Sequence, residues 1–273
     1  MLRSTVQLPR EQRWFGRLLS NTAGILGELS IRSDIIGRSA GRPIDMATQF
    51  QALIEAILGD ERAQAKALLA RDSALAAQTW EGDDRYEPGI AHYIYTGDTA
   101  LHVAAAGCRV EIARLLLDAG ADPSSACNRR QSQSLHYASD AFPESTMDAQ
   151  RQVDILRLLL DAGADLHARD KNGATALHRV VRARSSAAVK FLLEAGCDAT
   201  IRNKPGSTAF HLAVQNTGRS GSGADVAKAA QGEIIEAFLE HRISPMLRDA
   251  RGKSVLEWAK SGWIRQALTE NRS

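Results

Sequence analysis

The sequence predicts an all-α solenoid: helix-turn-helix units stacked side by side and joined by short, hairpin-like finger loops. Three observations predict it. A Leu-His or Phe-His pair occurs at Leu101-His102, Leu135-His136, Leu177-His178 and Phe210-His211, with spacings of 34, 42 and 33 residues. Each pair precedes an apolar run ending in Leu117-Asp118-Ala119-Gly120, Leu160-Asp161-Ala162-Gly163, Leu193-Glu194-Ala195-Gly196 or the altered Leu239-Glu240-His241-Arg242. Finally, Ile112, Ile155, Ala188 and Ile234 share one second-helix position, and Leu116, Leu159, Leu192 and Phe238 share another. A motif returning near 33 residues marks units that bury their apolar faces only against neighbours.

Residues 1–45 read as a basic N-terminal extension. Arg3, Arg10, Arg13, Arg17, Arg32, Arg38 and Arg42 stand there against Glu11, Glu28, Asp34 and Asp45. The whole chain carries a net charge of only +2, so nucleic acid is not an expected partner. Trp14, Phe15, Leu18 and Leu19 could line one side of a short amphipathic helix. An Arg- and Ser-rich, acid-poor start also faintly resembles an organelle transit peptide. The plainest reading is an extension that packs on the first helix pair.

Residues 46–96 read as a degenerate helix pair followed by a long aromatic finger. Phe50, Leu53, Ile54 and Ile57 fall on one helical face, Ala65, Leu68 and Leu69 on the next, and Gly59-Asp60 form the hinge. Thr48 with Gln51 offers a capping box at the start. The finger, Trp80 to Tyr95, adds Tyr86 and Tyr93 to those two aromatics in an acidic, Gly- and Pro-containing stretch.

Residues 97–270 divide into units of about 97–130, 131–173, 174–206 and 207–252, with a C-terminal cap at 253–270. In the third, Lys171-Asn172-Gly173 is a turn and Thr175-Ala176-Leu177-His178 opens a short helix through about Val181. A turn at 183–186 leads to a second helix carrying Ala188, Phe191 and Leu192, and Gly196 supplies a left-handed end cap. Extra length sits between first and second helix in two units, at 140–152 and 215–231. The later one holds Gly218-Arg219-Ser220-Gly221-Ser222-Gly223, a flexible composition. Arg242 replaces the capping glycine in the fourth unit, which puts its exit geometry in question. The cap keeps Gly252-Lys253-Ser254-Val255-Leu256, with Glu257 where histidine stood.

These units resemble ankyrin repeats, whose fingerprint is T-P-L-H-x-A followed by a second helix and G-A-D. It stands here as Thr99-Ala100-Leu101-His102-Val103-Ala104, Thr175-Ala176-Leu177-His178 and Thr208-Ala209-Phe210-His211-Leu212-Ala213. Every copy lacks the proline, and the second reads Gln133-Ser134-Leu135-His136. The resemblance implies that His102, His136, His178 and His211 are structural, each tying its own loop to a neighbouring one. It also implies a non-enzymatic protein-interaction scaffold.

Other motifs yield to the repeat register. Histidines one unit apart cannot share a metal ion, because ligand bonds are near 2 Å. Gly252-Lys253-Ser254 mimics the tail of a phosphate loop, but Leu247 stands where that motif needs glycine. Gly37-Arg38-Ser39-Ala40-Gly41 matches a nucleophile elbow by letter, and the repeats leave no room for the sheet it needs. No catalytic residue, cofactor or metal is expected. Cys108, Cys127 and Cys197 form no paired framework, which suggests a reducing cytoplasm. No apolar run reaches the roughly 18 residues of a membrane span, and no secretory signal is evident.

The expected binding surface is a ridge of finger-tip cations: Arg129, Arg130, Arg169, Lys171, Arg202, Lys204, Arg248 and Arg251, broken by Asp170 and Asp249. Such a ridge suits a partner with an acidic surface. Inner-helix ends at Ala106, Tyr137, Arg182 and Gln215 would add to it, as would Trp80 and Tyr86 on the long finger. A monomer is expected. Two alternatives stay open: an enzyme with active residues in 1–96 or in the insertions, where Asp140, Glu144 and Asp148 cluster, or a membrane-attached regulator anchored within 1–96.

Overall fold

The computed structural model describes residues 46–141, 146–215 and 225–270. The chain divides into residues 1–43 and 44–273, and the second unit is the one described. Expectations for the basic extension, its amphipathic stripe, Gly37–Gly41, Glu144 and the Gly/Ser stretch lie outside the described residues.

Six helix pairs follow one another: α1 (Met46–Leu58) with α2 (Arg62–Arg71), α3 (Ala100–Ala106) with α4 (Val110–Asp118), and α5 (Ser134–Asp140) with α6 (Thr146–Asp161). Then come α7 (Ala176–Arg182) with α8 (Ser186–Glu194), α9 (Ala209–Ala213) with α10 (Asp225–Glu240), and α11 (Val255–Trp258) with α12 (Gly262–Glu270). First helices pack on first helices and second on second, in chain order. The fold is an ankyrin-type solenoid with one small sheet, β1 (Arg85–Glu87) antiparallel to β2 (His92–Ile94). The columns sit at the core: Ile112, Ile155, Ala188, Leu116, Leu159, Leu192 and Phe238 show no exposure, and Ile234 is 1% exposed. Among the described residues no helix is long and apolar enough to cross a membrane.

Backbone geometry repeats with the sequence. Gly120, Gly163 and Gly196 take φ of +94°, +91° and +88° at the second-helix ends, and Arg242 takes +57° at the same position. The following amide still closes the helix, Ile243 N donating to Phe238 O at 2.9 Å as Cys197 N does to Leu192 O at 3.0 Å. The exit geometry therefore survives with a non-glycine residue in the left-handed region, at a strain of about 1–2 kcal/mol. The start of α1 differs from expectation. Its helix begins at Met46, so Thr48 lies inside it, exposed, and does not cap it.

The insertions lengthen second helices. α6 and α10 each run 16 residues, against nine for α4 and α8. In the uninterrupted units the first helix turns tightly into the second through Cys108 (φ +49°) or Arg184 (φ +57°). In the units with an insertion, a buried glutamine of the second helix closes the end of the first. Gln152 Nε2 donates to the Ala138 and Ala141 carbonyls at 2.9 Å each, and Gln231 Nε2 to those of Ala213 and Gln215 at 2.6 and 2.7 Å.

Candidate partner-binding surface

Each repeat histidine is spent on the scaffold. His178 Nδ1 accepts from the Thr175 amide at 3.2 Å, so Nε2 carries the proton and donates to Ser207 O of the next finger at 3.2 Å. His102 does the same with Thr99 and Ser132 O, and His136 with Gln133 and the carbonyls of Ala168 and Ala174. His211 joins Thr208 to Lys253 O. Burial lowers the pKa of all four, that of His136 to about 4. They stay neutral, which the donor–acceptor pattern requires.

The fingers are bonded into a continuous row. Lys171 N donates to Arg130 O at 2.8 Å, Lys204 N to Asn172 O at 2.8 Å, and Ala250 N to Gly206 O at 2.9 Å. Guanidinium groups reinforce it: Arg169 donates to Arg202 O, Arg202 to Arg248 O at 2.9 Å, and Arg248 to Gly252 O at 2.5 Å. Arg129, Arg169, Lys171, Arg202, Lys204, Arg248 and Arg251 are exposed, and Arg130 is half-buried. Arg129 pairs with Asp84, and Arg248 lies 3.8 Å from Glu257. No ion pair involves Lys171, Lys204 or Arg251 among the described residues.

The acids expected to break the ridge do not reach it. Asp170 Oδ1 accepts from the amides of Asn172 and Ala174 at 2.7 and 2.9 Å, turning the carboxylate into the finger. Asp249 repeats this with Arg251 and Lys253, and its Oδ2 accepts from Trp258 Nε1 at 3.0 Å. Asn128 occupies the same position in the second finger and makes the same bonds. These side chains fold the finger tips. The positive ridge runs past them.

Two expected inner-helix contacts are withdrawn. Tyr137 is 1% exposed and Ala106 4%, whereas Arg182 and Gln215 are exposed. The cause is the first finger, whose hairpin folds back along α3 towards its far end. Arg85 reaches Glu55 of α1 at 3.0 Å, Arg109 donates to Gly89 O, and a Cβ on Gly107 would stand 2.6 Å from Ile90 Cγ2. His92 lies against Tyr137, ring centroids 4.5 Å apart, and 3.5 Å from Asp140. Tyr137 gives its hydroxyl hydrogen to buried Asp98 at 2.6 Å. The hairpin therefore occupies the groove over the first two repeats, leaving a cleft of about 300 Å³ at its tip between Ala91, Arg109, Asp140 and Arg151.

Asp140 is no solvated loop acid. Arg179, 1% exposed, holds Asp140 at 2.5 Å, Asp170 at 2.7 Å and Ser132 Oγ at 2.8 Å. Burial works to raise both carboxyls, but the Arg179 charge together with the hydrogen bonds they accept outweighs it and keeps them below the usual carboxylate range. Those bonds come from His92 at Asp140, and from Arg179 and the Ala174 and Asn172 amides at Asp170. Arg179 stands where the other units have Val103, Tyr137 and Leu212. A cation in that otherwise non-ionic position is the one sequence signal that could have found this network. Burial also pushes the Cys108 and Cys197 thiols up to about 12, so neither is an activated thiolate at neutral pH.

On the aromatic finger, Trp80 is half-buried and committed: its Nε1 donates to Asp83 O at 3.1 Å and Arg85 lies 4.9 Å over its ring. Tyr86 is 40% exposed, on the hairpin face turned away from the repeats.

Comparison with known proteins agrees with this geometry. A family model described as ankyrin repeats (3 copies) matches residues 145–229, and one described as ankyrin repeat matches 96–129. An ankyrin repeat domain from Acinetobacter baumannii is similar in structure, with a TM-score of 0.60 and 25% identity. That match covers 80% of this chain and 96% of the other. No curated protein matches.

Proposed function

Because the chain is an ankyrin-repeat protein, and such repeats generally mediate protein–protein interactions, we propose that it is a non-enzymatic adaptor whose finger ridge binds an acidic protein segment. One observation carries this reading: a hydrogen-bonded row of fingers presents Arg169, Lys171, Arg202, Lys204 and Arg251 outward while turning Asp170 and Asp249 inward. The row is preorganised, so binding orders side chains and leaves the scaffold alone. Charge of one sign along a ridge steers an opposite partner and fixes its register more than it adds affinity. The half-buried Cys108 and Cys197 thiols and the neutral histidines fit a scaffold better than a reaction centre.

The test separates position from net charge. Arg169, Lys171, Arg202 and Lys204 are replaced together by glutamate. A control makes the same charge change at exposed Lys66, Arg71, Arg114 and Arg157 on the second helices. A labelled peptide of Gly-Ser-Glu-Glu repeats should lose about tenfold or more in affinity only for the finger variant. Equal losses in both would reduce the ridge to bulk charge and sink the proposal.

A further inference from the structure

We propose that the acidic segment held by the ridge is anchored at the last finger by one aromatic side chain, which enters a hollow against Trp258 between Arg251, Lys253 and Lys260. This rests on the ridge being a surface for acidic partners and adds the residue that fixes such a partner in place. The hollow, of about 230 Å³, lies where the last finger turns into α11, and Asp249, Arg251, Lys253, Glu257, Trp258 and Lys260 line it. Trp258 is half-buried, and its indole is fixed from two sides. Its Nε1 donates to Asp249 Oδ2 at 3.0 Å, and the His211 ring meets it edge-on, centroids 5.3 Å apart at 74°. With its only donor taken, the indole offers the hollow apolar carbon alone. A flat ring already held in place loses little freedom on binding, which suits it to receive an anchor.

The charges around the ring select the partner. Both acids of the hollow are bonded inward. Asp249 Oδ1 accepts from the Arg251 and Lys253 amides at 2.9 and 2.8 Å, and Glu257 Oε2 from the Ser254 amide and hydroxyl at 2.6 and 2.8 Å. Arg248 also lies 3.8 Å from Glu257. Arg251, Lys253 and Lys260 are exposed, and none of the three has an ion pair among the described residues. A cationic anchor would therefore meet three like charges. An aromatic one gains contact with the indole and with the cations at the rim. Carboxylates beside it in the segment pair with the same three groups. Arg251 is both the last cation of the ridge and part of the hollow, so a segment lying along the fingers reaches the hollow without leaving them.

End-blocked four-repeat Gly-Ser-Glu-Glu peptides, plain or extended by one phenylalanine or one leucine at either end, are titrated by fluorescence anisotropy into the full chain. Phenylalanine at one end should tighten binding about tenfold, and leucine about threefold or less. The same peptides are titrated into Trp258→Leu, into Lys253→Glu with Lys260→Glu, and into Lys66→Glu with Arg71→Glu as a control. The phenylalanine advantage should vanish in the first two and survive in the control. Trp258→Leu also breaks the bond to Asp249, so the lysine pair decides the matter if that variant unfolds. An advantage absent at both ends, or one that survives in the lysine pair or in folded Trp258→Leu, overturns the anchor and leaves the ridge standing. Leucine binding as tightly as phenylalanine overturns the aromatic choice. If no glutamate peptide binds, the ridge reading falls as well.

Discussion

The second and fourth repeats carry an insertion at the same place and close it with the same buried glutamine, yet they are held to the stack very differently. In the second, Gln152 Oε1 accepts from Ser185 Oγ of the next repeat at 2.6 Å, and Asp140 at the insertion's start pairs with Arg179. Asp140 also meets His92 of the first finger, so two repeats and the hairpin meet in one network. In the fourth, Gln231 Oε1 is buried without a hydrogen-bond partner among the described residues, and the second helix exits through a strained Arg242. In a solenoid, stability is close to a sum of unit and nearest-neighbour terms, so such local differences set where the stack opens first. Weak coupling belongs to the C-terminal end, and the groove-filling hairpin is anchored at the strongly coupled one.

The largest expected effect is at Arg179. Arg179→Ala leaves Asp140 and Asp170 buried without their cation and should cost about 3–5 kcal/mol in urea unfolding. A loss below about 1 kcal/mol would show that the network does not hold the second repeat. Next, Gln152→Ala should cost about 2 kcal/mol, because it strands two helix-end carbonyls and the Ser185 hydroxyl; Gln231→Ala, with one oxygen already unpaired, should cost about 1 kcal/mol. Equal losses in the two variants would erase the contrast between the repeats.

The pH dependence follows from the repeat histidines. Their folded-state pKa values are lowered below the ordinary 6.5 by burial. The unfolded chain therefore binds protons more readily, and stability is complete above pH 6.5 and falls as the pH drops towards about 4, the His136 value. Melting temperatures across that window check it, and a flat profile would contradict the neutral assignment. The smallest effect is a gain: Arg242→Gly relieves left-handed strain but adds unfolded-chain entropy, for a net of about 0.5 kcal/mol by calorimetry.

Much of the fold is legible in the sequence because repeat contacts are local and recur. The Leu-His register, the capping glycines and the Ile112–Ile155–Ala188–Ile234 column all follow from spacing. What escapes is set by contacts far apart in the chain. The long finger looks like any aromatic loop until Ile90 is found against Gly107 and His92 against Tyr137. Only then is it clear why Tyr137 and Ala106 are lost to a partner. Asp170 and Asp249 look like ridge acids because sequence shows their charge and not the backbone amides they accept from. Gln152 and Gln231 did carry a signal: each ends its insertion three residues before the core column at Ile155 and Ile234.

Hydrogen–deuterium exchange of the full chain with and without a bound Gly-Ser-Glu-Glu peptide tests the finger ridge most directly. Protection should appear at 129–131, 169–173, 202–206 and 248–252, with the second helices unchanged. Protection confined to the open groove around Arg182 and Gln215, with the finger tips unaffected, would contradict it.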